Sequence, residues 1–192
     1  MATVDISKKQ MIMEAAARLF RDRGYTATSM RDLAKAVHLQ ASSLYNHIKS
    51  KQEILKEICF HNARHFLVGI EQIVKEETGP AEQLEALIML HLRVATSDAT
   101  SITSFNDEWR HLEQPELEQF IKLRKRYEAH FRGIIEQGIA AGIFRRVDPS
   151  IVMYTILSSL RWVYDWYRPD RSDSVDEIGQ EIVALVLNGL RH

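Results

Sequence analysis

The chain has 192 residues, 45% hydrophobic and 27% charged, which is enough apolar content for one large core or two small ones and excludes a disordered or fibrous protein. No apolar run approaches the roughly 20 residues that span a bilayer, and the polar start Met1-Ala-Thr-Val-Asp5 lacks a secretory apolar segment, so a cytoplasmic location is expected. A net charge of −1 conceals an asymmetry: residues 1–50 carry 8 Lys/Arg against 4 Asp/Glu, and residues 51–192 carry 17 against 22, which suits a chain that offers one basic end to phosphates.

Apolar residues recur with helical period along the whole chain, and all four prolines (Pro80, Pro115, Pro149, Pro169) fall between such patterns, where a missing N–H costs nothing. A first helix is expected from a capping box, Ser7 with Gln10, with Ile12, Ala15, Ala16, Leu19 and Phe20 on one face and Gly24 as its stop. A second short helix begins at Ser29, whose hydroxyl can cap N–H groups near Asp32, and buries Leu33, Ala34 and Val37. After a turn at His38–Ala41, a third covers about 42–48, with Leu44 and Ile48 inward and Ser43, Asn46 and His47 outward. A capping box at Ser50-Lys-Gln-Glu53 opens a long helix with Ile54, Leu55, Ile58, Phe66, Leu67, Ile70 and Val74 on its apolar face; Cys59 on this helix points to burial. Further helices are expected at about 80–97, 101–112, 115–141, 149–167 and 174–190, the last from the box Ser174-x-x-Glu177.

Two short helices joined by a tight turn, the second polar outside and flanked by cations, describe a helix-turn-helix whose second helix enters the major groove. The run Thr28-Ser-Met-Arg-Asp-Leu-Ala-Lys-Ala-Val-His-Leu-Gln-Ala-Ser-Ser-Leu-Tyr-Asn-His-Ile-Lys-Ser-Lys-Gln-Glu-Ile-Leu55, preceded by Ala15-Ala-Ala-Arg-Leu-Phe-x-x-x-Gly-Tyr-x-x-Thr28, strongly resembles the TetR/AcrR family of regulators over about residues 8–55. Two positions depart from that pattern: His38 stands where the family often has glycine, and Ile48 where it usually has an aromatic. Histidine tolerates positive φ, and isoleucine still fills an apolar site.

The resemblance implies an all-α fold, with a DNA-binding helix-turn-helix domain at 1–52 and a helical ligand-binding and dimerisation domain at 53–192 joined by the long helix. Thr28 and Ser29 are expected to offer hydroxyl and N–H groups to a phosphate at the positive end of the second helix. Tyr45, His47 and Lys51 match positions that touch the DNA backbone in the family, and Gln40, Ser42, Ser43 and Asn46 are the candidates for base edges. A homodimer would then read a palindromic operator with half-sites about 34–36 Å apart.

The last two expected helices carry Ile151, Tyr154, Leu157, Leu160 and Ile178, Ile182, Leu185, Val186, Leu190, more apolar surface than one small domain covers from within. In the resembled family the last two helices make the dimer interface, which assigns Ile151, Tyr154, Leu157, Ile178, Ile182, Leu185 and Val186 to it. Aromatic and basic residues concentrate nearby: Phe105, Trp109, Arg110, Arg124, Tyr127, Phe131, Trp162 and Trp166 are the candidates for an apolar effector site with a few cationic groups. The pieces Glu108-Trp-Arg110, Arg124-x-x-Tyr127 and Trp166-Tyr-Arg-Pro-Asp170 resemble a TetR subgroup that controls lipid breakdown and senses acyl-CoA thioesters, which implies an acyl-CoA-responsive repressor.

His61 and His65 have the four-residue spacing that can share an ion, but no third ligand is identifiable, so no metal or cofactor is expected. No glycine-flanked serine, catalytic cysteine setting or carboxylate pair stands out, which argues against an enzyme. The alternatives are a TetR-type repressor sensing an unrelated hydrophobic compound, as in efflux or drug response, and a helical interaction protein without DNA binding.

Overall fold

A computed structural model describes residues 7–76, 78–167 and 174–191, and every element among the described residues is helical. The order is α1 (Lys8–Arg23), α2 (Met30–Ala36), α3 (Ala41–Tyr45), α4 (Lys51–Lys75), α5 (Pro80–Ser97), α6 (Ala99–Glu108), a 3₁₀ turn (Trp109–His111), α7 (Glu116–Ala140), α8 (Pro149–Trp166) and α9 (Val175–Leu190).

Local chemistry accounts for the boundaries. Ser29 and Ser174 make complete capping boxes: each hydroxyl accepts from the N–H three residues on, and the carboxylate there, Asp32 or Glu177, accepts from the serine N–H. The two other expected boxes are rearranged. Ser7 accepts from the Gln10 N–H, but the Gln10 amide donates onward to Glu14. Ser50 accepts from the Glu53 N–H, while the Glu53 carboxylate takes the N–H of Lys49, one residue further back. His38 has φ 54°, the left-handed conformation that its place in the turn demands. α3 stops at Tyr45, short of the expected end, because Asn46 N–H turns to Ser43 O and both His47 and Ile48 N–H go to Leu44 O. Past the 3₁₀ turn no helix can continue, since the ring of Pro115 would meet the carbonyl of His111.

The chain packs as two units: residues up to 63 with 100–121, and 64–99 with 122 onward. The expected division at 52/53 falls near the start of α4, a helix that, like α7, supplies residues to both units. The core of the first unit is built on Ile12, Phe20, Leu33, Leu44, Ile48, Ile54, Leu55, Ile102 and Phe120. Buried polar links tie α6 into it: Ser104 Oγ donates to Ala17 O at 3.0 Å, and Asn62 Nδ2 donates to Ser101 Oγ at 2.7 Å and to Ile58 O at 3.0 Å. Cys59 is buried here as expected, and burial pushes its thiol up to about 12, which keeps it protonated and unreactive.

In the second unit α5 packs against α8 and α9. The approach of α5 to α9 is close enough that a Cβ on Gly179 would fall 2.3 Å from Met89 Sδ. α7 ends in a paired turn: Ile143 N–H reaches Gly138 O at 2.9 Å, and Gly142 N–H reaches Ile139 O at 3.1 Å. Gly142 supplies the required φ of 71°. No helix among the described residues is long and apolar enough to cross a membrane.

Candidate functional site

α3 is only five residues long, yet its two faces are sharply divided. Leu44 and Ile48 are completely buried and seat the helix on the first unit. Gln40, Ser42, Asn46 and His47 are exposed, Ser43 is half-buried and Tyr45 is 52% exposed. Among the described residues no hydrogen bond occupies these polar side chains, so amide, hydroxyl and imidazole groups stand available on a helix fixed from behind. Such groups suit base edges and phosphate oxygens.

Three of the residues expected at phosphates spend their polar groups within the chain. Thr28 is only 1% exposed; its hydroxyl donates to Gly24 O at 2.9 Å and its N–H to Tyr25 O at 3.2 Å, so neither group faces outward. Thr28 is a loop-closing residue because the turn out of α1 leaves carbonyls that need donors. Ser29 is exposed, but its hydroxyl and N–H are both spent on Asp32. Lys51 turns its ammonium inward, onto Tyr25 O and Thr28 O at 2.7 Å each and 4.2 Å from the centroid of the Tyr25 ring.

The candidate effector residues separate into two groups. In the first unit Phe105 and Trp109 meet Phe120, the Trp109 ring stacking at 5.5 Å, and Arg110 lies over Trp109 at 4.7 Å. In the second unit Tyr127 packs edge-on to Phe131 and to Phe66. Arg124 is exposed and paired with Glu128 at 3.1 Å. Trp162 and Trp166 depart from the expectation of an enclosed lining: they are 66% and 53% exposed, because α8 turns its interior face through Met153, Ile156, Leu160 and Val163. Arg168 and Asp170 lie outside the described residues.

His91, which the sequence pattern did not single out, completes the second cluster. Its Nε2 hydrogen-bonds the Tyr127 hydroxyl, and its ring stacks on Phe66 at 4.5 Å. Burial lowers the imidazole to about 4 and pushes the Tyr127 phenol up, so both are neutral at pH 7. The only clue in the sequence was its place among the apolar residues of α5, which more often marks a satisfied interior histidine than a site.

The expected dimer residues lie on the outward side of α8 and α9. Ile151, Tyr154 and Leu185 are 67%, 49% and 74% exposed, and Leu157, Ile178, Ile182 and Val186 are half-buried. Leu160 and Leu190 face the interior of their unit.

A buried-backed polar α3, reached through a tight turn from a capped α2, defines a helix-turn-helix DNA-binding protein with an additional helical unit. Residues 12–58 match the family model described as bacterial regulatory proteins, tetR family, and residues 77–190 match the one described as tetracyclin repressor-like, C-terminal domain. The chain belongs to the TetR family, and it is a transcriptional regulator and not an enzyme. It is similar to the transcriptional repressor KstR2 of Mycolicibacterium smegmatis, at 29% identity over 96% of this chain and 91% of that protein. The solved structure of the ketosteroid transcriptional regulator KstR2 of Mycobacterium tuberculosis superposes with a TM-score of 0.90 at 28% identity, covering 99% of this chain and 97% of that one. AibR, solved in complex with isovaleryl coenzyme A and operator DNA, has a TM-score of 0.80 at 26% identity, covering 93% and 97%.

Proposed function

We propose that the protein is a cytoplasmic homodimeric repressor that holds a palindromic operator through α3 and is released by a small amphiphilic effector, an acyl-CoA thioester, bound in its C-terminal domain. The observation that carries the DNA half of this reading is the exposed, unpaired face of α3, with Gln40, Ser42, Ser43 and Asn46 for base edges and Tyr45 and His47 for phosphates. Dimerisation through Ile151, Tyr154, Leu157, Ile178, Ile182, Leu185 and Val186 is supported by how much of this apolar surface a single chain leaves uncovered. The acyl-CoA reading is supported by the similarity to AibR, whose structure holds isovaleryl coenzyme A. A steroid-like effector is the second reading, favoured by the full-length similarity to a ketosteroid regulator.

Selection of bound fragments from the source genome by the purified protein tests both halves. One palindrome should be recovered, lost with Tyr45→Ala, and released by some member of a panel of acyl-CoA esters and ketosteroids. Recovery without release by any acyl-CoA removes the proposed effector, and no enrichment at any salt concentration removes the DNA half.

A further inference from the structure

The outward face of α3 is built of hydrogen-bonding side chains, and Ala41 is the exception. It is exposed, as are Gln40, Ser42, Asn46 and His47 around it, while Leu44 and Ile48 behind it are completely buried. Because those two side chains fix the helix from within, α3 cannot roll to hide the Ala41 methyl without drawing Leu44 out of the core. A methyl neither donates nor accepts a hydrogen bond, so on this face it can recognise only apolar surface.

Length matters as much as chemistry. Ala41, Ser42 and Ser43 are consecutive, and none of them extends past a Cβ or an Oγ. Longer side chains would hold the helix off the bases, whereas this run lets the backbone of α3 come close to the floor of the major groove. That floor displays hydrogen-bond donors and acceptors and one kind of apolar group, the thymine 5-methyl. Gln40 and Asn46, whose carboxamides are unspent among the described residues, suit adenine, and the partner of adenine is thymine. Methyl and carboxamides together match A·T pairs.

We infer that Ala41 is a specificity-determining residue whose methyl packs on the 5-methyl group of one thymine in each operator half-site. The inference deepens the proposed DNA reading, on which it rests, and is independent of the effector.

Uracil in place of thymine removes that methyl and leaves the hydrogen-bonding edge of the base pair intact. On a duplex selected by the wild-type protein, each dT is replaced in turn by dU at the symmetric positions of both half-sites, and affinity is measured for the wild type and for Ala41→Gly. At one position the wild type should lose about fourfold per half-site, the worth of one buried methyl, and about tenfold or more for the two together. Ala41→Gly should bind the dT and dU duplexes within twofold of each other. The ratio between the duplexes is the readout, because loss of helix propensity at Ala41 lowers both affinities alike and cancels.

Should Ala41→Gly bind neither duplex, Ala41→Ser takes its place: a hydroxyl set against the thymine methyl should also bring the ratio below twofold. A wild type indifferent to every exchange of dT for dU would overturn the inference. An equal loss in the wild type and the variant would overturn it too, by assigning the thymine methyl to another side chain such as the Tyr45 ring. Failure to select any duplex would remove the DNA reading itself, and the inference with it.

Discussion

The two units hold themselves together by different means. In the first, short side chains and one lysine close backbone groups: Thr28 on Gly24, Ser104 on Ala17, Asn62 on Ile58, Lys51 on two loop carbonyls. In the second, helices approach through missing side chains, with Gly69 against Leu90, Gly138 against Phe144 and Gly179 against Met89, and one neutral His–Tyr pair lies among aromatic rings. The first arrangement fixes a loop and a short helix to the accuracy that reading DNA requires while leaving the outward groups of α3 unspent. The second sets the approach of its long helices by volume at these glycines, with polar links such as Arg145 Nε donating to Gly189 O at 2.8 Å at their ends, so its most sensitive points should be steric.

That contrast breaks most readily at Gly138. A Cβ there would lie 2.1 Å from Phe144 Cδ2, and Phe144 is only 1% exposed, so the ring cannot yield without opening the core. Gly138→Ala gains about 1 kcal/mol of helix propensity but should lose more to overpacking, for a net loss of about 3 kcal/mol. Thermal unfolding should fall by about 6–10 °C for a chain of this size. A melting temperature equal to the wild type would mean that Phe144 moves aside freely and that the close approach is incidental.

The same contrast explains what was legible beforehand. Cap residues, proline breaks and apolar periodicity are local, so α5, α8 and α9 fall within a residue of their expected bounds, and the buried Leu44 and Ile48 follow from spacing four apart. His38 could be read as a positive-φ position because a turn of known type needs one. The inward turn of Lys51 could not be read, since nothing in the spacing of residues 25, 28 and 51 says that its ammonium will meet two loop carbonyls. His91 was invisible for a related reason: its significance lies in Phe66 and Tyr127, which are 25 and 36 residues away along the chain. Composition alone places Trp162 and Trp166 among the effector candidates, whereas the phase of α8 turns them outward.

A smaller effect tests whether the neutral His91–Tyr127 pair of the second unit is a liability. His91 is lowered to about 4 from an ordinary 6.5, so its contribution to stability is complete above 6.5 and is lost as pH falls toward 4, where the unfolded chain takes a proton that the folded one refuses. His91→Gln keeps a hydrogen-bonding group near Tyr127 without titrating. Urea unfolding of both proteins from pH 7 to pH 4 should show the wild type losing about 2 kcal/mol more than the variant over that range. Parallel pH profiles would mean that the imidazole is protonated in the folded protein and that the site is wetter than its surroundings suggest.

The smallest effect is the most discriminating, because one device occurs in both units. Ser29 and Ser174 each close a complete box with an acidic residue three positions on, each at the start of a helix and each exposed. Replacing either serine by alanine should cost about 1 kcal/mol, so equilibrium unfolding alone will not tell the two variants apart. DNA binding will. Ser29 stands between the Tyr25–Thr28 loop and α2, so loosening its box lets the turn that carries α3 fluctuate, and affinity for a selected duplex should fall several-fold with no change in salt slope. Ser174 caps α9, and Ser174→Ala should leave DNA affinity within twofold of the wild type at protein concentrations where the oligomeric state is unchanged. If the two alanine variants weaken DNA binding equally, order at α9 matters as much to the reading head as order at α2, and the division of labour between local closure and helix packing does not hold.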